Sequence, residues 1–148
     1  MNNLFLIFFF LLPLTTFGKP PAKLRYTKEF IFEKVLELKR QTLKPEIPLP
    51  EIFYESKTPL YQFQDAIEEQ WGMRPDRITN AYALKKNEIY ISDDADYYGR
   101  TNRCMDDSVA HEMVHYIQAR YQGWDLNDDS LEWDAIDMQT AFREAYCR

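Results

Sequence analysis

Glycine is scarce in this chain of 148 residues. Four glycines occur, and only Gly72, Gly99 and Gly123 lie beyond residue 18. The loop that cradles phosphate groups and the fingerprint of dinucleotide-binding domains both need several closely spaced glycines. The sequence therefore excludes a phosphate loop and a dinucleotide-binding motif.

Basic runs and long apolar runs are missing as well. The chain has 18 Lys and Arg against 24 Asp and Glu, which gives a net charge of −6 at pH 7, and no basic run exceeds two residues. Binding to a nucleic-acid backbone would need charge of the opposite sign. After residue 18, no apolar stretch approaches the length that spans a membrane. We expect no nucleic-acid partner and no membrane span in the mature chain.

Residues 1–18 have the pattern of a secretory signal peptide. An apolar run from Leu4 to Leu12 precedes Pro13 and a short approach of small residues that ends at Gly18. The run is too short to be a stable transmembrane anchor. The sequence predicts cleavage near Gly18 and export to the periplasm or the extracellular space.

Hydrophobic periodicity divides the rest of the chain into an exposed, proline-rich tail at 19–25 and a single domain at 26–148. We predict a first helix that is capped by Thr27 and has an apolar face from Ile31 to Leu43, followed by a strand or extended arm at 51–55. A second helix is expected from the Thr58-Pro59 cap to Gly72, with a buried stripe formed by Leu60, Phe63, Ile67 and Trp71. Two strands at 80–84 and 88–92 are expected to form a hairpin. Strand 88–92 is expected to be an edge strand, which either holds an extended peptide by backbone pairing or is the ordinary edge of a small sheet.

The last third of the sequence predicts an antiparallel helical hairpin. After the acidic loop 93–96, one helix runs from about Asn102 to Tyr121, the chain turns at Gly123, and a second helix begins behind Asp128 or Asp129. The expected fold class is α+β, with a small antiparallel sheet, packing helices and this C-terminal hairpin.

The chain has two histidines, and they lie four residues apart in the sequence His111-Glu112-Met113-Val114-His115. On a helix, both imidazoles project from one face about one turn apart and can share a cation. A catalytic zinc site needs a third protein ligand and leaves the fourth position to water. The alternative is a pair of surface histidines on an ordinary amphipathic helix.

A carboxylate on the following helix is the expected third ligand, and Glu132, Asp134 and Asp137 are the candidates. We predict Glu132, because Ala135 lies on nearly the same face and lets the two helices approach closely. Asp134 points about 200° away from Glu132 on a regular helix. Asp134 and Asp137 are expected to be solvated charges near the start of the helix.

The segments His111–Gln118 and Glu132–Ala135, together with Gln139, resemble the gluzincin class of zinc metallopeptidases, in which HExxH is followed on a later helix by a glutamate. They are most similar to a group of small, secreted bacterial proteins with this zincin-like core, over about residues 88–140. The resemblance implies that His111, His115 and Glu132 bind one Zn²⁺ and that Glu112 is the general base.

One position departs from that signature. Where a gluzincin often has an acid that supports a ligand histidine, this chain has Ile136. Either another carboxylate, such as Asp107 one turn before His111, supplies the second coordination shell, or the site is weaker than usual. Candidate donors to the transition state, which the sequence alone does not rank, are Tyr121, Arg143, Tyr146, Tyr97 and Tyr98.

The two cysteines, Cys104 and Cys147, are equally distant from the turn of the helical hairpin. Residues equidistant from the turn of an antiparallel pair lie level with one another, so a disulfide can clamp the open end of the hairpin. The alternatives are a free pair of thiols and additional metal ligation.

Three functions remain open at this point. The first is an exported zinc-dependent peptidase with an open cleft for peptide or protein substrates. The second is a metal-stapled binding or inhibitor module without turnover, and the third is an interaction domain without a metal.

Overall fold

The computed structural model describes residues 18–148 and has the α+β architecture expected from the sequence. Its elements are α1 (Lys28–Lys39), β1 (Glu51–Tyr54), a 3₁₀ helix (Glu55–Lys57), α2 (Leu60–Trp71), β2 (Ala81–Ala83), β3 (Glu88–Ile91), α3 (Ala95–Thr101), α4 (Met105–Arg120) and α5 (Leu131–Tyr146). Apart from Gly18, the signal peptide predicted at residues 1–18 lies outside the described residues.

Helix α1 begins as its sequence predicts and ends earlier. The hydroxyl of Thr27 accepts a hydrogen bond from the backbone N–H of Phe30 at 3.2 Å, which confirms the cap. Arg40 then adopts a left-handed conformation with φ of 52°, which ends the helix. Leu43, predicted to continue the buried face, is therefore beyond the helix and 59% exposed.

Helix α2 ends at Gly72, whose φ of 67° is readily adopted only by glycine, as predicted. Thr58 does not cap the helix, because its hydroxyl donates to the carbonyl of Tyr54 at 2.7 Å. Leu60 and Trp71, the two ends of the predicted buried stripe, are 36% and 41% exposed. The residues that α2 buries are Phe63, Ala66 and Ile67.

The three strands form a mixed sheet in the order β1-β3-β2. The predicted hairpin is present, with β2 antiparallel to β3. Strand β1 pairs with the other side of β3 in parallel, so the sheet is not purely antiparallel. The prediction that strand 88–92 is an edge strand is therefore wrong: β3 is central, because the segment 51–55 forms a strand that covers its second edge.

Successive side chains of β3 point to opposite faces of the sheet, and helices pack against both faces. Ile89 and Ile91 belong to the main apolar cluster with α1, α4 and α5, whereas Tyr90 packs against Phe63 of α2 with ring centroids 5.0 Å apart. This alternation follows from the two-residue period of a strand. Helix α4 thus lies on one face of the sheet and α2 on the other.

The acidic segment 93–96, predicted as a loop, contains the start of α3. The carboxylate of Asp94 accepts from the N–H of Asp96 and caps this short helix. Asn102, with φ of 51°, ends α3, so α4 begins at Met105 rather than at about Asn102. At the second helix of the hairpin, Ser130 precedes α5, and Asp128 accepts from its backbone N–H at 2.9 Å.

The segment 19–25 is extended but packs against the domain instead of standing free. The backbone N–H of Ala22 donates to the carbonyl of Asp93 at 2.8 Å. The fully buried carboxylate of Asp106, in the first turn of α4, accepts from the N–H groups of Arg25 and Tyr26, each at 2.9 Å to one oxygen. These hydrogen bonds to Asp106 hold the segment that leads into α1 against the domain.

Helices α4 and α5 form the predicted antiparallel hairpin, and Cys104 and Cys147 form the predicted disulfide at its open end. The Cα atoms of the pair are 5.7 Å apart, within the usual range for a disulfide. Among residues 18–148, no helix combines the length and apolar character that crossing a membrane requires.

Candidate metal centre

Two histidines of α4 and one glutamate of α5 converge on a common point. The Nε2 atoms of His111 and His115 are 3.1 Å apart. Oxygens of Glu132 lie 3.3 Å from Nε2 of His111 and 3.0 Å from Nε2 of His115. These side chains form a group that can hold a metal ion.

Local structure explains this convergence. The four-residue spacing places both imidazoles on the face of α4 that contacts α5. Glu132 lies in the first turn of α5, and Ala135, three residues later, is completely buried. The small side chain at that position allows α5 to approach α4 closely, which is the basis on which the sequence favours Glu132.

The carboxylate of Glu112 borders the same pocket as the three converging side chains, and the residue is only 4% exposed. Burial, followed by the negative charge of Glu132, raises the pKa of Glu112 to about 8. The backbone N–H of Tyr82 opposes both effects by stabilising the charged form. Burial and the charge of Glu132 thus favour the protonated form of this carboxyl group.

His111 is oriented by a chain of hydrogen bonds that crosses to α5 and returns to α4. Its Nδ1 lies 3.3 Å from Oε1 of Gln139, and Nε2 of Gln139 donates to Asp107 at 2.9 Å. Asp107 is completely buried and pairs with the guanidinium of Arg103. Asp107 therefore supports His111 through Gln139.

His115 is also oriented by a chain of hydrogen bonds that leads from the imidazole to a glutamine and then to an aspartate. Its Nδ1 lies 2.8 Å from Oε1 of Gln118, and Nε2 of Gln118 donates to Asp134 at 2.8 Å. Asp134 pairs in turn with Lys39 of α1. Asp134 was predicted to be a solvated charge; it is instead half-buried and bonded on both sides. Asp137 is exposed, as predicted.

These two chains determine which imidazole nitrogens carry hydrogen. The amide nitrogen of Gln139 faces a carboxylate, and that of Gln118 faces a carboxylate and the carbonyl of Leu131 at 3.1 Å. Carboxylates and carbonyls only accept, so each glutamine presents its oxygen to an imidazole Nδ1, which must donate. The Nε2 lone pairs of both histidines consequently point toward Glu132.

Three electron-pair donors about 3 Å apart repel one another unless a cation or an added proton lies between them. Burial lowers the pKa of His111 below its ordinary value, which opposes an added proton on this imidazole. The arrangement therefore favours a bound cation.

The pocket around these donors has a volume of about 200 Å³. Besides the two histidines, Glu112 and Glu132, it is lined by Gln70, Trp71, Asn80, Ala81, Tyr82 and Leu126. Sequence reasoning missed these residues because they come from α2, β2 and the hairpin loop, which nothing local relates to α4. It also assigned no role to Gln118 and Gln139. Two spacings in the sequence could have indicated that these glutamines lie near the centre. Gln118 follows His115 by three residues, and Gln139 follows Glu132 by two helical turns.

The donors suggested for the transition state do not line this pocket. Arg143 and Tyr146 are 11 and 14 residues beyond Glu132 on α5, roughly 16 and 21 Å along the helix axis. Tyr121 accepts from the backbone N–H of Lys44. Tyr98 donates to the carbonyl of Ser92, and Tyr97 accepts from Arg103.

Ile136, at the position where the signature often has an acid, is 41% exposed. A side chain facing outward there cannot support a ligand. Gln139 and Gln118 contact the two imidazoles instead.

The chain matches no protein-family model, no curated protein and no solved structure. The geometry and chemistry of the centre are therefore the basis for its function.

Proposed function

We propose that this protein is a zinc-dependent peptidase of the gluzincin type. In this proposal His111, His115 and Glu132 hold one Zn²⁺, and Glu112 is the general base. The observation that carries it is the convergence of two Nε2 atoms and a carboxylate within 3.0 to 3.3 Å of one another, with a buried glutamate bordering the same pocket.

The donor set fits zinc in type and in spacing. Two imidazole nitrogens and one carboxylate are ligands that catalytic zinc sites use, with bonds of about 2.0 to 2.2 Å. Donors at that distance from a tetrahedral centre are about 3.3 Å from one another. The separation of the two Nε2 atoms, and the separation of each from the nearer of the two oxygens of Glu132, agree with this value to within a few tenths of an ångström. Both imidazoles also have the Nδ1 hydrogen bond that ligand histidines use to fix their orientation.

When bound, zinc supplies a Lewis acid that polarises a carbonyl and makes a neighbouring water more acidic. Glu112 supplies the proton acceptor. It follows His111 directly in the sequence, so it points away from the direction shared by the ligands and accepts a proton from the attacking water. The same carboxyl group can then deliver this proton to the leaving amine.

Asn80 is the side chain that best fits a donor to the developing oxyanion. Its Oδ1 accepts from the backbone N–H of Ser92 at 2.8 Å, so its amide N–H₂ group is left to face other partners. Asn80 lines the pocket that contains the three converging side chains. We propose Asn80 in place of the tyrosines and the arginine suggested by the sequence alone, because those residues do not line this pocket.

The open pocket supports access of a peptide substrate to the centre, and the disulfide supports export of the protein. The carboxylate side chain of Glu132 is 55% exposed, so a peptide segment has direct access to the centre. The disulfide suits an oxidising compartment outside the cytosol, in agreement with the predicted export.

The test compares zinc content and cleavage in three variants. We expect the wild type to bind one zinc and to cleave fluorescein-labelled casein or a mixture of short peptides. Glu112→Gln should keep the zinc and lose at least about 100-fold in rate, because only the proton acceptor is removed. Glu132→Ala should lose most of the zinc. Glu144→Ala, an exposed glutamate on the same helix, is the matched control and should behave as the wild type.

Each contrary result has a distinct meaning. A wild type that holds zinc but cleaves nothing would support the metal-stapled binding module instead. A wild type that holds no zinc, or a Glu132→Ala variant that holds as much as the control, would overturn the metal centre itself.

A further inference from the structure

The free edge of the sheet next to the candidate metal centre is the outer side of β2. Strand β2 pairs with β3 in the register Ala81 to Tyr90, Tyr82 to Ile89 and Ala83 to Glu88. Backbone groups of alternate residues in an antiparallel strand point to opposite sides. The backbone groups of Tyr82 and the N–H of Leu84 point away from β3, where an added strand would bind, whereas the carbonyl of Leu84 also accepts from the N–H of Asn87 in the turn at 3.3 Å.

A side chain from α2 already occupies this edge. Nε2 of Gln70 donates to the carbonyl of Tyr82 at 3.0 Å, and the N–H of Leu84 donates to Oε1 of Gln70 at 2.9 Å. These are the two hydrogen bonds that one residue of a parallel neighbouring strand would make. The amide of Gln70 thus takes the place of a peptide group.

The other outward groups of this edge are occupied too. Arg120 donates to the carbonyl of Leu84 at 2.6 Å. The N–H of Tyr82 faces the carboxylate of Glu112. From Tyr82 to Leu84, no outward backbone group remains for a substrate strand.

This closed edge is part of the candidate site. Gln70, Tyr82 and both histidines line the same pocket, and Gln70 lies in the last turn of α2, two residues before Gly72. An extended peptide reaching the histidines would run along β2 and would have to displace Gln70.

We infer that Gln70 is a specificity-determining residue that closes the β2 edge, so that the site takes short peptides held by their ends and side chains rather than long segments held by strand pairing. This inference rests on the proposed function and narrows its substrate class. In this inference α2 helps to select the substrate, which the α4–α5 hairpin does not do.

The test measures the affinity of the zinc-loaded protein for two hydroxamates, which chelate zinc. Acetohydroxamic acid has no peptide backbone, whereas tetra-alanine hydroxamate can pair with β2. We expect Gln70→Ala to raise the ratio of the tetra-alanine affinity to the acetohydroxamic acid affinity about tenfold, because two backbone hydrogen bonds become available. The affinity for acetohydroxamic acid and the zinc content should not change, since Gln70 is not a ligand.

Gln64→Ala is the matched control, because Gln64 lies on the same helix and its amide donates to the carbonyl of Pro75, away from β2. It should leave the ratio unchanged. Hydrogen exchange provides a second measurement that needs no zinc: the Leu84 amide should lose protection in Gln70→Ala and keep it in Gln64→Ala.

An unchanged hydroxamate ratio in Gln70→Ala, or a Leu84 amide that stays protected, would overturn the inference. A wild type that binds no zinc would instead overturn the proposed function, and this result is visible before any change at Gln70.

Discussion

Oε1 of Gln139 lies 3.3 Å from Nδ1 of His111, although the two residues are 28 positions apart and on different helices. The contact couples the orientation of one proposed ligand to the packing of α4 against α5. Its counterpart, between His115 and Gln118, lies within α4 alone. The proposed ligands therefore differ in how much they depend on the hairpin.

Replacing Gln139 by Met should weaken zinc binding by about 10-fold to 100-fold, the usual effect of removing a partner that orients a ligand. Met preserves the length of the side chain but cannot accept from His111 or donate to Asp107. Competition with a chelating dye measures the affinity. Gln64→Met serves as the control on α2, and an equal loss in both variants would contradict an orienting role.

Asp134→Ala should also weaken zinc binding, because Gln118 would lose the acceptor that fixes its amide and Lys39 would lose its partner. We expect a loss of several-fold, smaller than that of Gln139→Met, since Gln118 keeps its bond to the carbonyl of Leu131. Asp137→Ala, on the same helix and exposed, should have no effect. The prediction fails if the two aspartate variants bind zinc equally well.

Ala135→Leu should lower the free energy of unfolding by about 1 to 3 kcal/mol, as expected for overpacking a filled core position. Ala135 is completely buried between the two helices of the hairpin. The larger side chain should also move Glu132 away from the histidines and reduce zinc content. Urea denaturation measures the first effect and elemental analysis the second. Ala145→Leu, at an exposed position of α5, should change neither.

Replacing both cysteines by serine should lower the free energy of unfolding by about 4 kcal/mol in the chain-entropy account, because the disulfide closes a loop with a sequence separation of 43 residues. Guanidinium denaturation of the oxidised wild type and the double variant measures the difference. Titration of the native protein should detect no free thiol. Two free thiols there would contradict the disulfide.

The sequence predicts well what depends on local spacing. The cap at Thr27, the helix end at Gly72 and the shared face of His111 and His115 are each set within a few residues. The disulfide follows from the symmetry of two helices about their turn. Glu132 was favoured because one small residue follows it on the same face, and the structure brings its carboxylate to the histidines.

Features that join distant segments were not predictable in the same way. Strand β1 pairs with β3 across 37 positions, from Glu51 to Glu88, and this pairing makes β3 central. No local pattern specifies a partner so far away, because the period of a strand defines its faces but not its neighbours. The role of Gln70 at the β2 edge was invisible for the same reason.

Buried polar residues on α4 were a second source of difficulty. Asp106, Asp107 and Gln118 have the composition of a solvated face, yet all three are buried and hydrogen-bonded. Helix α4 is surrounded by α1, α5 and the sheet, so its polar residues need partners from other elements. These partners are known only once the packing is known.

Arg25 donates through its guanidinium to the carbonyl of Cys147 at 2.9 Å, so the two outer segments of the described chain meet at the disulfide-linked end of the hairpin. That end is roughly 20 Å along α5 from Glu132. A fluorophore, affinity tag or surface tether could therefore be attached beside either residue. It would lie at the disulfide-linked end of the hairpin and leave the pocket around Glu132 open.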